Sequence, residues 1–288
     1  MPRLSRPKSR EITGTSAVGT DGAAAGITVC ETRIPGYAQD VTLRLYTPEV
    51  ARSGSRPALP VVLVFHGGGF TKGGLDDADG AARFVATHTP AFVISVGYSL
   101  APDHPFPAAP GDAFRAALWA TEHAKDFGGD GSRLGVAGYD AGGHIVASLT
   151  FIARDQGDLP LKAQVLVGPM LDPSLTRVGD EQALGSDITV ADCAKCYRAY
   201  LPEALQRLHP YAAPLESMRL GGLPPALIIT AQNDVLHVEA EKYAGQLIGA
   251  GIPTEVTRFP RVSHADLADH PSVLAATANF LGRRLRAP

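Results

Sequence analysis

The sequence predicts an α/β fold: a mostly parallel central sheet, helices on both faces and a helical lid. Three observations predict it. Short apolar runs rich in Val, Ile and Leu recur along the chain, as strands buried on both faces require. Stretches with apolar residues at helical spacing separate these runs, and such alternation builds a parallel sheet. One long stretch without a strong strand, residues 174–217, sits between two core strands.

The elements follow in order. The chain opens with Arg3, Arg6, Lys8 and Arg10, then turns small and Gly/Ala/Thr-rich. No apolar segment follows the basic cluster, so it does not read as a signal peptide. Residues 1–25 read as a flexible arm and 26–288 as one domain. Residues 26–35 and 40–47 look like an opening antiparallel pair. The run VVLVF at 61–65 is the strongest strand, and 91–96, 134–137, 163–167 and 226–230 read the same way. Residues 254–259 alternate apolar and polar, which places them near the sheet edge. Helical spacing marks 112–127, 141–153, 239–250 and 271–285. The 174–217 stretch reads as a helical insertion with its main helix over 187–200. In this architecture it lies over the carboxyl ends of the strands, where sites form.

Composition narrows the function. Hydrophobic residues make up 45% of the 288 and charged residues 19%, enough for a large core and too apolar for general disorder. The net charge of −3 gives no reason to expect nucleic acid. No run approaches the ~18 apolar residues of a membrane span. The expectation is a soluble cytoplasmic protein acting on a small molecule, with no membrane partner. Three cysteines argue against a disulfide scaffold. Cys193 and Cys196 form a CxxC, but a zinc site needs two further ligands, so they read as two thiols on a helix and no metal is expected.

Four motifs carry chemistry. His66-Gly67-Gly68-Gly69-Phe70 follows directly on the 61–65 strand. Glycines there let the backbone turn sharply and aim N–H groups at a developing oxyanion. Gly138-Tyr139-Asp140-Ala141-Gly142 follows the 134–137 strand and opens a helix. That is the context of the nucleophile elbow, which exposes its central side chain above the sheet and puts the Ala141 N–H at a helix N-terminus. Asp234 follows the 226–230 strand and suits the acid that holds an imidazole in one tautomer. His264 falls where a general base belongs. The order nucleophile, acid, base is that of α/β-hydrolases. His144, His237, Trp119 and Phe114 read as packing or capping residues.

With these motifs the chain resembles the hormone-sensitive-lipase group of bacterial esterases. The carrying segments are HGGGF at 66–70, YSLAPDHPFPAAPGD at 98–112, GYDAGGHIVASL at 138–149, LPPALIITAQNDVL at 223–236 and VSHADL at 262–267. The resemblance spans almost everything from residue 60 onward. It implies an α/β-hydrolase fold, carboxylesterase or lipase activity through a Ser-His-Asp triad, an N-terminal cap and no cofactor. It implies an oxyanion role for Gly67, Gly68 and the Ala141 N–H, the acid role for Asp234 and the base role for His264. Asp103 and His104 would form a structural turn beside the site.

Three positions depart from that pattern. The family's serine is Asp140, its usual His-Gly-Phe is His264-Ala265-Asp266, and Tyr139 stands where a small polar residue is usual. A carboxylate attacking an ester carbonyl gives a mixed anhydride and does so poorly, so ordinary esterase turnover should be low. A carboxylate is well suited to displacement at saturated carbon, as in opening an epoxide. The leading expectation is a hydrolase of small epoxide- or ester-type molecules with Asp140 as nucleophile and His264 and Asp234 completing the triad. Phe70, Tyr139, Tyr197 and Tyr200 are the candidate substrate contacts; Tyr197, Tyr200 or Tyr139 is a candidate acid on a leaving oxygen, although each tyrosine reads more readily as a packing residue. Three alternatives stand: a serine esterase scaffold whose nucleophile has been replaced, a non-hydrolytic acid–base enzyme, and a binding protein. Terminal helices of such folds often pair, which makes a homodimer the candidate assembly.

Overall fold

The VVLVF run forms the centre of the molecule. In the computed structural model, which describes residues 16–17, 26–49 and 57–287, it lies in β4 (Leu59–Phe65). Val61, Leu63 and Phe65 pack into the core on one sheet face, and Val62 and Val64 into the core on the other. Both faces are thus apolar, which is why the run is continuous rather than alternating. Each fully buried Val or Leu here contributes ~1.5–3 kcal/mol.

Among the described residues, the sheet also holds β1 (Ser16–Ala17), β2 (Ile27–Pro35), β3 (Asp40–Pro48), β5 (Phe92–Gly97), β6 (Gly129–Tyr139), β7 (Leu161–Val167), β8 (Ala226–Asn233) and β9 (Thr254–Ser263). The order across the sheet is β1-β2-β3-β5-β4-β6-β7-β8-β9. β1, β2 and β3 pair antiparallel, as does β3 with β5; every later pair is parallel. β9 takes the edge, as its alternating sequence predicts. The expected arm over residues 1–25 lies outside the described residues apart from β1.

Helices α1 (Asp79–His88) and α7 (Pro271–Arg284) cover one face. The other carries α2 (Ala108–His123), α3 (Ala141–Gln156) and α6 (His237–Gly249). Helix α2 starts four residues before the predicted boundary, and a 3-10 turn, Ala124–Phe127, completes the predicted stretch. Helix α1 is an addition to the sequence reading. Its buried stripe is only Ala82, Val85 and Ala86, too narrow to stand out by periodicity. Residues 174–217 hold α4 (Glu181–Leu184), α5 (Val190–Tyr200) and two 3-10 turns.

Strand β4 lies between β5 and β6, so successive parallel strands depart to opposite sides of it. The crevice at such a switch point lies at the strands' carboxyl ends. The 66–70 loop leaves β4 there, and the 138–142 turn leaves β6 beside it.

Candidate active site

The elbow is a tight turn because its flanks have no side chain. A Cβ on Gly142 would collide with the Phe65 and His66 carbonyls, and one on Gly138 with the Gly142 carbonyl. Between them Asp140 takes φ 54°, ψ −117°, a conformation costing ~1–3 kcal/mol for a non-glycine residue. The turn holds Asp140 at the head of α3, almost fully buried.

Its carboxylate oxygens have separate partners. Oδ2 accepts from the N–H of Gly68 at 2.9 Å and the N–H of Gly69 at 2.8 Å. Oδ1 lies 3.6 Å from His264 Nε2, an ion-pair distance too long for a hydrogen bond. His264 Nδ1 donates to Asp234 Oδ2 at 2.9 Å, and Asp234 Oδ1 accepts from the Leu236 N–H at 2.8 Å. The structure therefore brings Asp140, His264 and Asp234 together in one buried row.

The donor glycines stand one position further along than expected, and no Ala141 bond to Oδ2 accompanies them. Gly68 and Gly69 serve Oδ2, where Gly67, Gly68 and Ala141 were expected. The cause is backbone geometry. Gly68 and Gly69 adopt φ of 108° and 57°, turning consecutive N–H groups onto one point. Gly67 instead offers its carbonyl to His66 Nδ1 at 2.7 Å and lies against the Tyr139 ring. Ala141 is fully buried in the first turn of α3, where the helix's positive end adds to the field on Asp140.

Charge and burial oppose each other at this row. Burial alone would push the Asp140 carboxyl up, but His264 and the two glycine N–H groups outweigh it and hold it below the usual carboxylate range. Burial likewise disfavours a charged His264, yet Asp140 and Asp234 on either side raise it to about 10. Both directions favour the ion pair, an Asp140 carboxylate beside a protonated His264.

The aromatic residues expected at the substrate divide into two sets. Phe70, Tyr197 and Tyr200 are buried together. Phe70 stacks on Tyr200 at 4.0 Å between centroids and lies 5.7 Å from Tyr197. These rings seat α5 on the 66–70 loop, and the Tyr197 and Tyr200 hydroxyls are buried without partners. Phe70, Tyr197 and Tyr200 are thus packing residues rather than substrate contacts, and Tyr197 and Tyr200 are not placed as acids. Tyr139 is only half-buried and its hydroxyl donates to the His264 carbonyl at 3.0 Å. It also lines an apolar pocket between α1, α7 and the strand ends, with Gly67, Ala81, Val85, Leu267 and Val273.

Cys193 and Cys196 are free thiols on α5, and Cys196 Sγ faces Gly69 closely. Asp266 bonds Ser263 Oγ at 2.9 Å rather than the imidazole. His144 donates from Nδ1 to the Met170 carbonyl at 2.9 Å and is lowered by burial to about 4, a core histidine as expected. Among the described residues no group of three or more His, Cys, Asp or Glu is placed to hold a metal ion, and no helix is long and apolar enough to cross a membrane.

The family described as alpha/beta hydrolase fold matches residues 62–267, which contain all three residues of the row. The chain belongs to the α/β-hydrolase family. Among its relatives is the carboxylesterase NlhH of Mycobacterium tuberculosis, 39% identical over 264 residues, covering 89% of this chain and 81% of that protein. An arylesterase from Saccharolobus solfataricus is 32% identical, over 79% and 73% of the two chains. The solved hyperthermophilic esterase of Pyrobaculum calidifontis superposes with a TM-score of 0.81 at 33% identity, over 88% and 85%. A thermostable esterase from Pseudomonas putida gives 0.82 at 31%, over 93% and 86%. The α/β-hydrolase fold and its esterase-containing group are those the sequence motifs resemble.

Proposed function

We propose that this α/β-hydrolase cleaves small, mostly apolar epoxide- or ester-type molecules through a covalent intermediate on Asp140, an alkyl ester with an epoxide and a mixed anhydride with an ester. One observation carries the reading: Oδ2 of Asp140 already sits on the two glycine N–H groups while Oδ1 faces His264. Oδ1 is then the attacking atom. With an epoxide, the Oδ1–carbon bond forms, the ring C–O bond breaks, and the released oxygen takes the Nε2 proton of His264. The buried lid tyrosines are not needed as acids, because the imidazolium carries the proton.

The second half follows from the charge change. Once Asp140 is an ester, its negative charge is gone, and His264 loses one of the two anions that keep it protonated. Neutral His264, oriented by Asp234, takes a proton from water as that water attacks Cγ. Charge develops on Oδ2, where Gly68 and Gly69 donate. The Cγ–Oδ1 bond breaks, the alcohol leaves with Oδ1 and the His264 proton, and the acid left on Asp140 reprotonates His264. The apolar pocket beside Tyr139 receives the hydrocarbon part of the substrate. The same reading takes the protein as cytoplasmic and dimeric.

A second reading is a serine-esterase scaffold with its nucleophile replaced. Two observations favour it. Carboxylesterases are among the relatives, and the Asp140 carboxylate fills the cradle that a substrate carbonyl oxygen needs. Single turnover in H₂18O with epoxides and short p-nitrophenyl esters separates the two. The proposal expects heavy oxygen in the peptide that holds Asp140. An unlabelled peptide, together with esterase turnover appearing in Asp140→Ser, establishes the replaced-serine reading instead.

A further inference from the structure

Asp187 belongs to the 174–217 insertion, between α4 and α5, 77 positions before His264. Its carboxylate grips the main chain of the base turn. Oδ1 accepts from the His264 N–H at 2.9 Å, and Oδ2 accepts from the Ala265 N–H at 2.9 Å. These amides open the 3-10 turn Ala265–Ala268, where helical geometry leaves N–H groups without partners of their own. From the opposite side, the Tyr139 hydroxyl holds the His264 carbonyl at 3.0 Å. The base therefore has its N–H, its C=O and its ring each fixed by a side chain from a different element. Asp266, nearer in sequence, spends its carboxylate on Ser263.

The insertion is anchored on the same side. Asn233 Nδ2 donates to the Leu184 carbonyl at 2.6 Å, and the Val235 N–H donates to Ser186 Oγ at 3.3 Å. Those two residues flank Asp234. The segment that carries Asp187 is thus tied both to the acid's loop and to the base's turn.

The geometry points to Asp187 as a positioning residue: by clamping two N–H groups of the base turn, it sets the reach of His264 toward Asp140 and couples that reach to the seating of the insertion. The coupling matters because Nε2, 3.6 Å from Oδ1, must come within hydrogen-bond reach of the released substrate oxygen and then of the water that attacks Cγ. A shift of the base turn by a few tenths of an ångström changes that reach. Asp187 is itself exposed. Water screens its charge, so it steers geometry more than it stabilises the fold.

This inference rests on the reaction proposed above, and its test is chosen to separate the two. The His264 imidazole is titrated by NMR in the full chain, for wild type, Asp187→Asn, Asp187→Ala and Asp187→Glu. Asn removes one acceptor and Ala removes both. The Ala variant is expected to lower the His264 midpoint by about 1 pH unit as the ring loosens from its two carboxylates. Its kcat should fall about tenfold with KM within about twofold. Glu, which keeps both acceptors, should recover most of that loss. An unchanged midpoint overturns the proposal, even if the melting temperature falls, since that pattern belongs to a merely structural contact. Should the Ala variant fail to fold, the Asn variant decides by the same readout. Absence of any Asp140 adduct in wild type overturns the reaction but leaves the His264 titration to judge Asp187.

Discussion

Asp140 combines three features that are each expensive alone: a strained backbone, a buried charge and proximity to a second carboxylate two bonds of a network away. The site resolves them with one cation and two N–H donors. A buried charge is tolerable only when paired and hydrogen-bonded, so each group depends on the others. Asp140→Asn keeps the shape and removes the charge. Its effect should appear on His264, whose midpoint drops from about 10 toward the ordinary value of about 6.5. Imidazole NMR measures this directly. A midpoint unchanged in the Asn variant would assign the elevation to Asp234 alone. The same scale shows why the donor glycines were misplaced by one residue. In His66-Gly67-Gly68-Gly69 every glycine fits the motif, and only the φ values of 108° and 57° pick the pair whose N–H groups converge.

At the scale of elements, β4 and β6 do most of the positioning. Because they are neighbours in register, with Phe65 opposite Gly138, the loop leaving one strand meets the turn leaving the other. Both strands were legible as apolar runs, and so were the motifs at their ends. Helix α1 was not, nor was the pocket it forms with α7. That pocket gives a prediction about chain length. Ala81→Phe places a ring in the space beside Val85 and Val273. Turnover of short-chain substrates should stay within about twofold of wild type, while that of six-carbon and longer analogues falls by about tenfold or more, since each excluded methylene forfeits ~0.8 kcal/mol of burial. Equal losses across the series would show that the hydrocarbon lies elsewhere. The aromatic layer of Phe70, Tyr197 and Tyr200 belongs to this scale too: it joins α5 to the 66–70 loop by stacking.

For the whole molecule, the charged row makes folding depend on pH. The folded value of His264 lies above its ordinary value of about 6.5, so its contribution is complete below about 6.5 and is lost as pH rises through about 10. Asp140 shifts the other way, so its contribution is complete above 3.8 and is lost as pH falls through its folded value. The melting temperature should therefore fall by about 5 °C between about pH 8 and about pH 10.5, and Asp140→Asn should flatten that slope; calorimetry across this range checks both. Much of the molecule was already written in the order of its residues. Continuous apolar runs and helical spacing determine a doubly covered parallel sheet, because they depend only on which faces must be dry. Short motifs next to strands determine Asp140, Asp234 and His264, because a strand end fixes where the next residue points. The tertiary structure alone decided which glycines donate, that Tyr197 and Tyr200 are packing residues, and that Asp187 holds the base turn. These depend on backbone angles and on contacts between residues far apart in the sequence, and no local spacing encodes a contact made by the path of the chain between them.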